Sequence, residues 1–363
     1  MTTNTHKAAA PVLVSSYALG FIVLCLIVYI LFEASAILIP FVIAVFVWYL
    51  INAMARGLGR VELGDTKLPR FLCFLLAMMT LCFGLWFIYK LVSVNAMEVM
   101  RAAPKYQEKL QAMLPAMLSH FPEEYRPNPS DLAGYFDVGA FIKTLVQTFS
   151  GIFGKTMVVL FYTGFLLYEQ RFFGRKLAEM MHEKQSEARF HKIIKNIEGK
   201  IQRYIWVKTL ISALAGISTW LLLKGFNVNL AEFWGVLAFI LHFIPYVGSI
   251  AAVILPVVAA LVDTPETTTL LMLLLGLTSL QVFFTSFLDP RMMGDSLNLS
   301  PIFIISAIAA WGVLWGVPGM FLAVPILSAA VIILSQFQRT RPLAILMSKT
   351  GEIDAHESTG AHR

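Results

Sequence analysis

The sequence predicts an all-α polytopic membrane protein with about eight transmembrane segments. Hydrophobic residues make up 58% of the 363 residues and charged residues only 14%. The mean hydropathy is +0.73, and these values are far from the averages of soluble domains. Apolar windows of about 20 residues, the length that crosses a bilayer as a helix, recur along the chain. They lie near 12–32, 34–54, 70–94, 151–168, 205–224, 231–262, 268–288 and 301–335.

The first three segments form a predicted N-terminal scaffold over residues 1–94. The opening stretch MTTNTHKAAAP has one lysine and runs into a full-length span without a cleavage site, so we expect no removable signal peptide. Cys25, Cys73 and Cys82 all lie in apolar spans, where free cysteine acts as a small hydrophobe. We therefore expect no disulfide framework, no metal site and no cofactor.

The distribution of the net charge of +6 predicts the orientation of the chain. Basic residues concentrate between the second and third spans, between the fourth and fifth, and after the last. These places share one side if the N-terminus is cytoplasmic and the chain crosses eight times, which satisfies the positive-inside rule. Both termini are therefore predicted to be cytoplasmic, and the charge pattern does not indicate nucleic-acid binding.

Two segments are predicted to lie outside the bilayer. Residues 95–150 carry nearly balanced charges and a helical pattern that ends at HFPEEYRPNPSD, so we expect an extracytoplasmic helical insert. After a span at 151–170, residues 171–204 alternate isoleucines with basic residues at helical spacing, which predicts a cytoplasmic amphipathic helix. Residues 205–335 then form the predicted transport core, and 336–363 a cytoplasmic tail.

The apolar segment 231–262 is broken at its centre. It contains FILHFIPYVGSIAAVILP, in which Pro245 and Gly248 interrupt the helical pattern and Pro256 follows some turns later. The segment is too long for one span and too short for two spans with a loop. Since unpaired backbone groups at membrane depth are tolerated only beside protein or a water-filled cavity, we interpret it as a broken helix or re-entrant hairpin.

A second segment, 301–335, has the same character. Its stretch WGVLWGVPGMFLAVP carries Gly316, Pro318 and Gly319, with Pro325 some turns later. A pair of interrupted segments is the sequence pattern of a secondary transporter's binding site. The alternative is that each break serves helix packing alone, because glycine and proline are common in membrane helices.

Four motifs from the second half resemble the autoinducer-2 exporter family of bacterial membrane proteins. They are VKTLIS, FIPYVGS, DPRMMG and GVPGMFLAVP, in this order, and the similarity is strongest over 205–326. The resemblance implies a homo-oligomeric, pentameric assembly in the bacterial inner membrane. It also implies export of the furanone signal autoinducer-2 or, as for other members, sodium or lithium/proton antiport. One departure is His242, where the family commonly has asparagine.

Polar residues inside the spans are candidates for a substrate or ion pathway, because such residues are costly in a membrane. Lys208 either faces a counter-charge, Asp289 or Glu232, or extends its ammonium to the cytoplasmic headgroups. His242 either relays protons or is satisfied by a carbonyl freed at the break. Gln281 either binds solute or ties helices together.

Asp289 follows Gln281 by eight residues, close to one face of the seventh span. It also precedes Pro290, where helices tend to end, so it is alternatively a cap for the turn DPRMMG beside Arg291. The predicted pathway also includes the break residues Pro245, Gly248, Gly316, Pro318 and Gly319, and the predicted hinge or turn positions are Pro256, Pro290, Gly294 and Pro325.

These features favour a secondary transporter over an enzyme. The chain has no Walker motif, so a gradient must drive transport, and no HExxH, GxSxG or acidic pair within a span. We expect export of a small polar signal of the autoinducer-2 type by alternating access, with protons or sodium as the coupling ion. The alternatives are a sodium or lithium/proton antiporter, a channel, and a membrane scaffold that transports nothing.

Overall fold

The computed structural model describes residues 10–59, 62–63, 66–118, 140, 143–144, 147–148, 151, 154–180, 184–263, 266–293 and 298–351. Nearly all of these residues are helical. The helices are α1 (Ala10–Glu33), α2 (Ser35–Leu58), α3 (Arg70–Leu118), α4 (Thr156–Met180), α5 (Lys184–Gly225), α6 (Ala231–Leu241), α7 (Val247–Asp263), α8 (Thr267–Val282), α9 (Asp289–Met293), α10 (Pro301–Ser335) and α11 (Arg341–Met347). A π-helix, Phe283–Leu288, joins α8 to α9, and two short strands, β1 (Glu62–Leu63) and β2 (Thr66–Lys67), pair antiparallel.

The prediction of an all-α polytopic membrane protein is confirmed. Five helical segments are long and apolar enough to cross a membrane. Three shorter apolar helices accompany them, and α4 is less apolar because Glu169, Gln170 and Arg171 interrupt it. The five segments are Ser35–Leu58, Arg70–Ala102, Ile194–Gly225, Thr267–Met293 and Pro301–Ser335.

Two helices continue across positions where the hydropathy changes. α3 runs without interruption past residue 94 into the segment predicted as an insert, and Lys109 near its end donates a hydrogen bond to the Leu261 carbonyl of α7. α5 likewise joins the amphipathic stretch before residue 205 to the span after it. The predicted turn at HFPEEYRPNPSD lies outside the described residues.

Two packed groups and the contact between them organise these helices. In the first group, α2, α3 and α4 enclose a cluster that includes Ala44, Ala77 and Val159. In the second, α5 to α8 enclose a larger cluster, which Val92 of α3 also joins. Here α5 lies so close to α6 that a Cβ on Gly216 would stand 2.7 Å from the Gly235 carbonyl oxygen. Small residues permit this approach between membrane helices. The third cluster joins α5 to α10 and includes residues of α2 at its edge. Because α9 and α10 both pack on α5, we count them with the second group.

The first break separates α6 from α7. α6 ends at Leu241 and α7 begins at Val247, with Tyr246 between them at a φ of 63°. A Cβ added to Gly248 would lie 1.7 Å from the Leu241 carbonyl oxygen. Residues seven apart on one straight helix are separated by about 10 Å along its axis. The chain therefore turns back at this point, and α7 packs along α6.

The second break lies within α10 at Gly316, whose φ of 65° and ψ of −144° are not helical. Beyond it, a Cβ on Gly319 would lie 1.9 Å from the Trp311 carbonyl oxygen. On a straight helix these positions would be about 12 Å apart. The two halves of α10 therefore fold back on each other, and the Trp315 indole at the bend donates to the Leu31 carbonyl of α1 at 2.9 Å.

Candidate functional site

Four of the predicted pathway residues meet inside the second helix group. The Lys208 ammonium donates to Oδ2 of Asp289 at 2.8 Å. The same Oδ2 lies 3.9 Å from Nε2 of His242, and Nδ1 of His242 lies 3.3 Å from Oε1 of Gln281. Lys208, His242 and Gln281 are all buried. A connected cluster of two charged and two neutral polar side chains thus lies between α5, α6 and the α8–α9 unit.

Local helix geometry explains why these side chains converge. Lys208 lies on α5 one turn after Tyr204 and one turn before Ser212, so all three share a face. His242 follows the last residue of α6, and its backbone N–H still donates to the Ala238 carbonyl. This hydrogen bond fixes His242 at the start of the break.

The π-helix aligns Asp289 with Gln281. Eight residues of ordinary α-helix would leave the two side chains about 80° apart around the axis. The wider π turn between them takes up about one extra residue, which reduces the angle to about 20°. The sequence predicts a shared face, and the π-helix makes the alignment closer than an α-helix would.

For Lys208, the structure decides between the predicted alternatives. Its side chain is 3% exposed and paired with Asp289, so it does not extend to the headgroups. Glu232, the other proposed partner, pairs instead with Lys224 at 2.7 Å, where both side chains are exposed.

His242 and Gln281 link α6 to α8 through one side-chain contact. His242 is not satisfied by a carbonyl freed at the break, because the only hydrogen-bond partner found for its ring in the described chain is Gln281. Its Nε2 has no hydrogen-bond partner there.

The prediction that Asp289 caps a turn is wrong. The helix does not end before Pro290 but continues through α9 to Met293, directly after the π-helix. Arg291 does not approach the carboxylate; its guanidinium lies 3.7 Å from the centre of the Phe287 ring.

Several buried polar atoms around the cluster lack a hydrogen-bond partner within the described chain. Each such atom costs about 1–3 kcal/mol if it stays dry, so their concentration in one place calls for a functional explanation. Tyr204 and Ser212 were not predicted, although their spacing of four residues on either side of Lys208 is a signal that could have identified them. The atoms are Tyr204 Oη, Ser212 Oγ, His242 Nε2, Gln281 Nε2 and Asp289 Oδ1.

An apolar cavity of about 320 Å³ lies between the two helix groups, beside both breaks. Phe46, Leu85 and Val159 line it from α2, α3 and α4, whereas Ile244 and Pro318 line it from the two breaks. Its lining includes Thr156 and Thr209 but none of the four cluster residues. The cavity and the polar cluster are therefore separate features that share the break after α6.

The remaining predicted residues lie at the breaks, inside helices or outside the described residues. Gly248 and Gly319 are buried against carbonyls of the preceding helix, so the backbone at these positions approaches protein. The sequence alone had placed both on the solute pathway. Pro256 and Pro325 lie inside α7 and α10 and not at turns. Gly294 lies outside the described residues.

Comparison with known proteins gives a consistent result over most of the chain. Residues 19–339 match the family described as AI-2E family transporters. The AI-2 transport protein TqsA of Escherichia coli (strain K12) is 27% identical over 320 residues, which cover 87% of this chain and 90% of TqsA. A putative transport protein of Borreliella burgdorferi is 26% identical over 324 residues, covering 89% and 87%. The putative transport protein YhhT of Escherichia coli (strain K12) is 29% identical over 240 residues, covering 66% of each chain.

Proposed function

The chain belongs to the AI-2E family of transporters, and on that premise we propose that it is a gradient-driven secondary transporter that works by alternating access. The observation that carries this proposal is the placement of both breaks beside one cavity. Broken helices at a cavity are the usual place where secondary transporters hold their solute, because backbone groups released there can bind it.

The two helix groups suggest which parts move. α2, α3 and α4 form one wall of the cavity, whereas the α6–α7 pair and the folded α10 form the other through Ile244 and Pro318. We infer that the second group shifts against the first, so that the cavity opens in turn to each side of the membrane. The folded pairs would then be re-entrant hairpins that carry the solute past a fixed frame.

A small polar signal of the autoinducer-2 type is the first cargo to test. This choice is supported by the name of the relative TqsA, an AI-2 transport protein, and by the sequence resemblance. The cavity walls are apolar, so polar recognition would come from the backbone at the breaks and from Thr156 and Thr209.

Exchange of sodium or lithium for protons is the second candidate, and the buried cluster favours it. A lysine, an aspartate and a histidine in contact inside a membrane protein are characteristic of ion and proton pathways. In this case the ion pathway is formed by Lys208, His242, Gln281 and Asp289. The cavity then provides the space in which the second helix group shifts against the first.

The placement in the cell is proposed from the charge pattern and the resemblance. The basic residues between spans favour an inner-membrane protein with both termini cytoplasmic. The resemblance favours a homo-oligomer, a pentamer, in which the N-terminal helices of the subunits would form the frame.

Flux into proteoliposomes of the purified protein tests the proposal. One set of vesicles receives labelled autoinducer-2, and a second carries a proton gradient that is challenged with sodium or lithium. Empty vesicles serve as the control. Signal uptake supports the exporter, cation-dependent collapse of the proton gradient supports the antiporter, and the absence of both activities would contradict transport of these solutes.

A further inference from the structure

We propose that Asp289 is a carboxylate shared between two cationic partners, Lys208 and protonated His242, and that Nε2 of His242 takes up the coupling proton. This inference deepens the proposed function, on which its consequence for transport rests. The proton site itself can be tested without any transport.

The first step is the position of the carboxylate. Oδ2 of Asp289 accepts a hydrogen bond from the Lys208 ammonium at 2.8 Å and also faces Nε2 of His242 at 3.9 Å. With His242 neutral, the lysine and the aspartate balance each other. A proton on His242 adds a second positive charge beside the same oxygen.

The second step is the position of the proton on the neutral ring. With the Gln281 amide oriented so that its acceptor Oε1 lies 3.3 Å from Nδ1, we assign the hydrogen of the neutral ring to Nδ1. Nε2 then presents a lone pair toward a carboxylate oxygen, with no hydrogen between the two acceptors. This is an empty proton position, and a shift of about 1 Å would turn the protonated contact into a hydrogen bond.

The third step is the charge around the ring. α5 contributes Lys208 and Tyr204, which lie beside Asp289. The α8–α9 unit contributes Gln281, Phe284 and Asp289, which face the His242 ring. Of the acidic groups in the described chain, Asp289 is the one within 4 Å of the ring. Glu232, on α6 before His242, is paired with Lys224. Protonated His242 therefore has one counter-ion, Asp289, whose Oδ2 already accepts a hydrogen bond from Lys208.

The consequence is a link between proton binding and the first break. His242 is the first residue after α6, so a change in its contacts acts on the turn that joins α6 to α7. Proton uptake draws Asp289 toward His242 and weakens its hold on Lys208. Loss of the proton restores the Lys208–Asp289 ion pair and ends the attraction between Asp289 and the His242 ring.

Nitrogen NMR of the full-length protein, labelled with ¹⁵N-histidine and reconstituted in lipid nanodiscs, tests the proton site. The chain has seven histidines, and the His242 signal is assigned by its loss in His242→Asn. We expect the neutral ring to be protonated on Nδ1 and to gain a proton on Nε2 as the pH falls. A neutral ring protonated on Nε2 would overturn the proposal.

Two variants test the shared carboxylate. Lys208→Met removes the competing cation, so we expect the pH midpoint of His242 protonation to rise by about one unit or more. Asp289→Asn removes the counter-ion, so His242 should stay neutral across the accessible pH range. Lys224→Met, which makes the same change at the exposed end of α5, should leave the midpoint unchanged. An unchanged midpoint in Lys208→Met would refute competition for Asp289, and the wild-type tautomer tests the site even if a variant does not fold.

Flux measurements separate this inference from the proposed function. If His242 titrates as expected but the wild type carries none of the tested solutes, the proposed function fails and the proton site stands. If the wild type transports but the ring has the other tautomer, the proton site fails and the transporter stands. If both hold, flux should follow the His242 midpoint and shift with it in Lys208→Met.

Discussion

Gly248 and Gly319 close the two breaks in the same way. Each lies just after its bend, and each faces a backbone carbonyl of the helix half before it, Leu241 in one case and Trp311 in the other. Neither glycine has a positive φ, so the requirement for glycine at these positions comes from space and not from backbone conformation.

Gly248→Ala and Gly319→Ala should therefore each push the two halves of a break apart. We expect a loss of about 1–3 kcal/mol of stability from the strain, together with a clear loss of flux. Thermal unfolding in detergent and proteoliposome flux measure the two effects. Gly164→Ala is the matched control, because nothing lies within 4 Å of the added methyl group. If Gly248→Ala unfolds at the same temperature as the control, the close approach is not needed.

The Lys208–Asp289 pair provides a second prediction at the residue scale. Lys208→Met leaves a buried carboxylate without its partner, which should cost about 3–5 kcal/mol. The double variant Lys208→Met/Asp289→Leu removes both charges and should recover most of that loss. Equilibrium unfolding in mixed micelles measures the difference, and Lys224→Met, at an exposed pair, should cost less than about 1 kcal/mol. A double variant less stable than the single one would contradict a pair whose two charges balance.

At the scale of elements, the π-helix between α8 and α9 determines which way Asp289 points. Deletion of Ser286, whose side chain is exposed, should convert the π turn to an α turn and keep Asp289 facing Lys208, because the seven α-helical steps that remain from Gln281 also leave the two side chains about 20° apart. The Lys208–Asp289 pair should therefore remain intact.

The effect of one substitution tests this alignment. In the Ser286 deletion, Lys208→Met should destabilise the protein, as we expect in the full-length chain. Ser286→Ala keeps the length of the helix and should behave like the wild type. Chemical unfolding of both backgrounds, with and without Lys208→Met, gives the comparison, and a Lys208→Met effect of opposite sign in the deletion would show that the π turn does not take up one extra residue.

The sequence predicts the elements that hydropathy controls and not those that backbone hydrogen bonds control. The apolar runs and the positions of Gly248 and Gly316 follow from residue type, because proline and glycine weaken helices wherever they occur. The π-helix has no comparable signal, since i to i+5 bonding arises from packing. The continuity of α3 and α5 was also not predicted, because hydropathy changes where a helix leaves the membrane although its backbone does not.

The polar cluster shows the same limit at the level of single residues. Rarity in an apolar span identifies Lys208, His242, Gln281 and Asp289 as candidates. Their mutual contacts depend on how three helices pack, and the sequence left Lys208 with two possible partners. The structure selects Asp289 because it places the start of α9 against the middle of α5.

At the scale of the whole molecule, alternating access requires the two helix groups to move past each other. Phe46 of α2 and Phe321 of α10 meet across that boundary with ring centres 4.9 Å apart. Cysteines at both positions, in a chain without Cys25, Cys73 and Cys82, can be joined by a short bifunctional methanethiosulfonate reagent, and this cross-link should stop flux.

Reduction should restore flux in that cross-linked protein, which shows that the substitutions themselves are tolerated. The control pair, Phe41 and Tyr162, lies within the first group with ring centres 5.7 Å apart, so its cross-link should leave flux unchanged. Flux that continues with the first pair fully cross-linked would show that the two groups do not move relative to each other during transport.

The hydrogen bond from Trp315 to Leu31 has a consequence for the biogenesis of the protein. It joins residues 284 positions apart, and the Leu31 carbonyl belongs to the last turn of the first helix, where carbonyls have no partner within the helix. During synthesis, that carbonyl enters the membrane early, and its donor, the Trp315 indole, is made only when the chain is nearly complete. A chain that stops before residue 315 therefore leaves its first helix without this anchor, and a chain that lacks its first helix leaves the last bend unsupported.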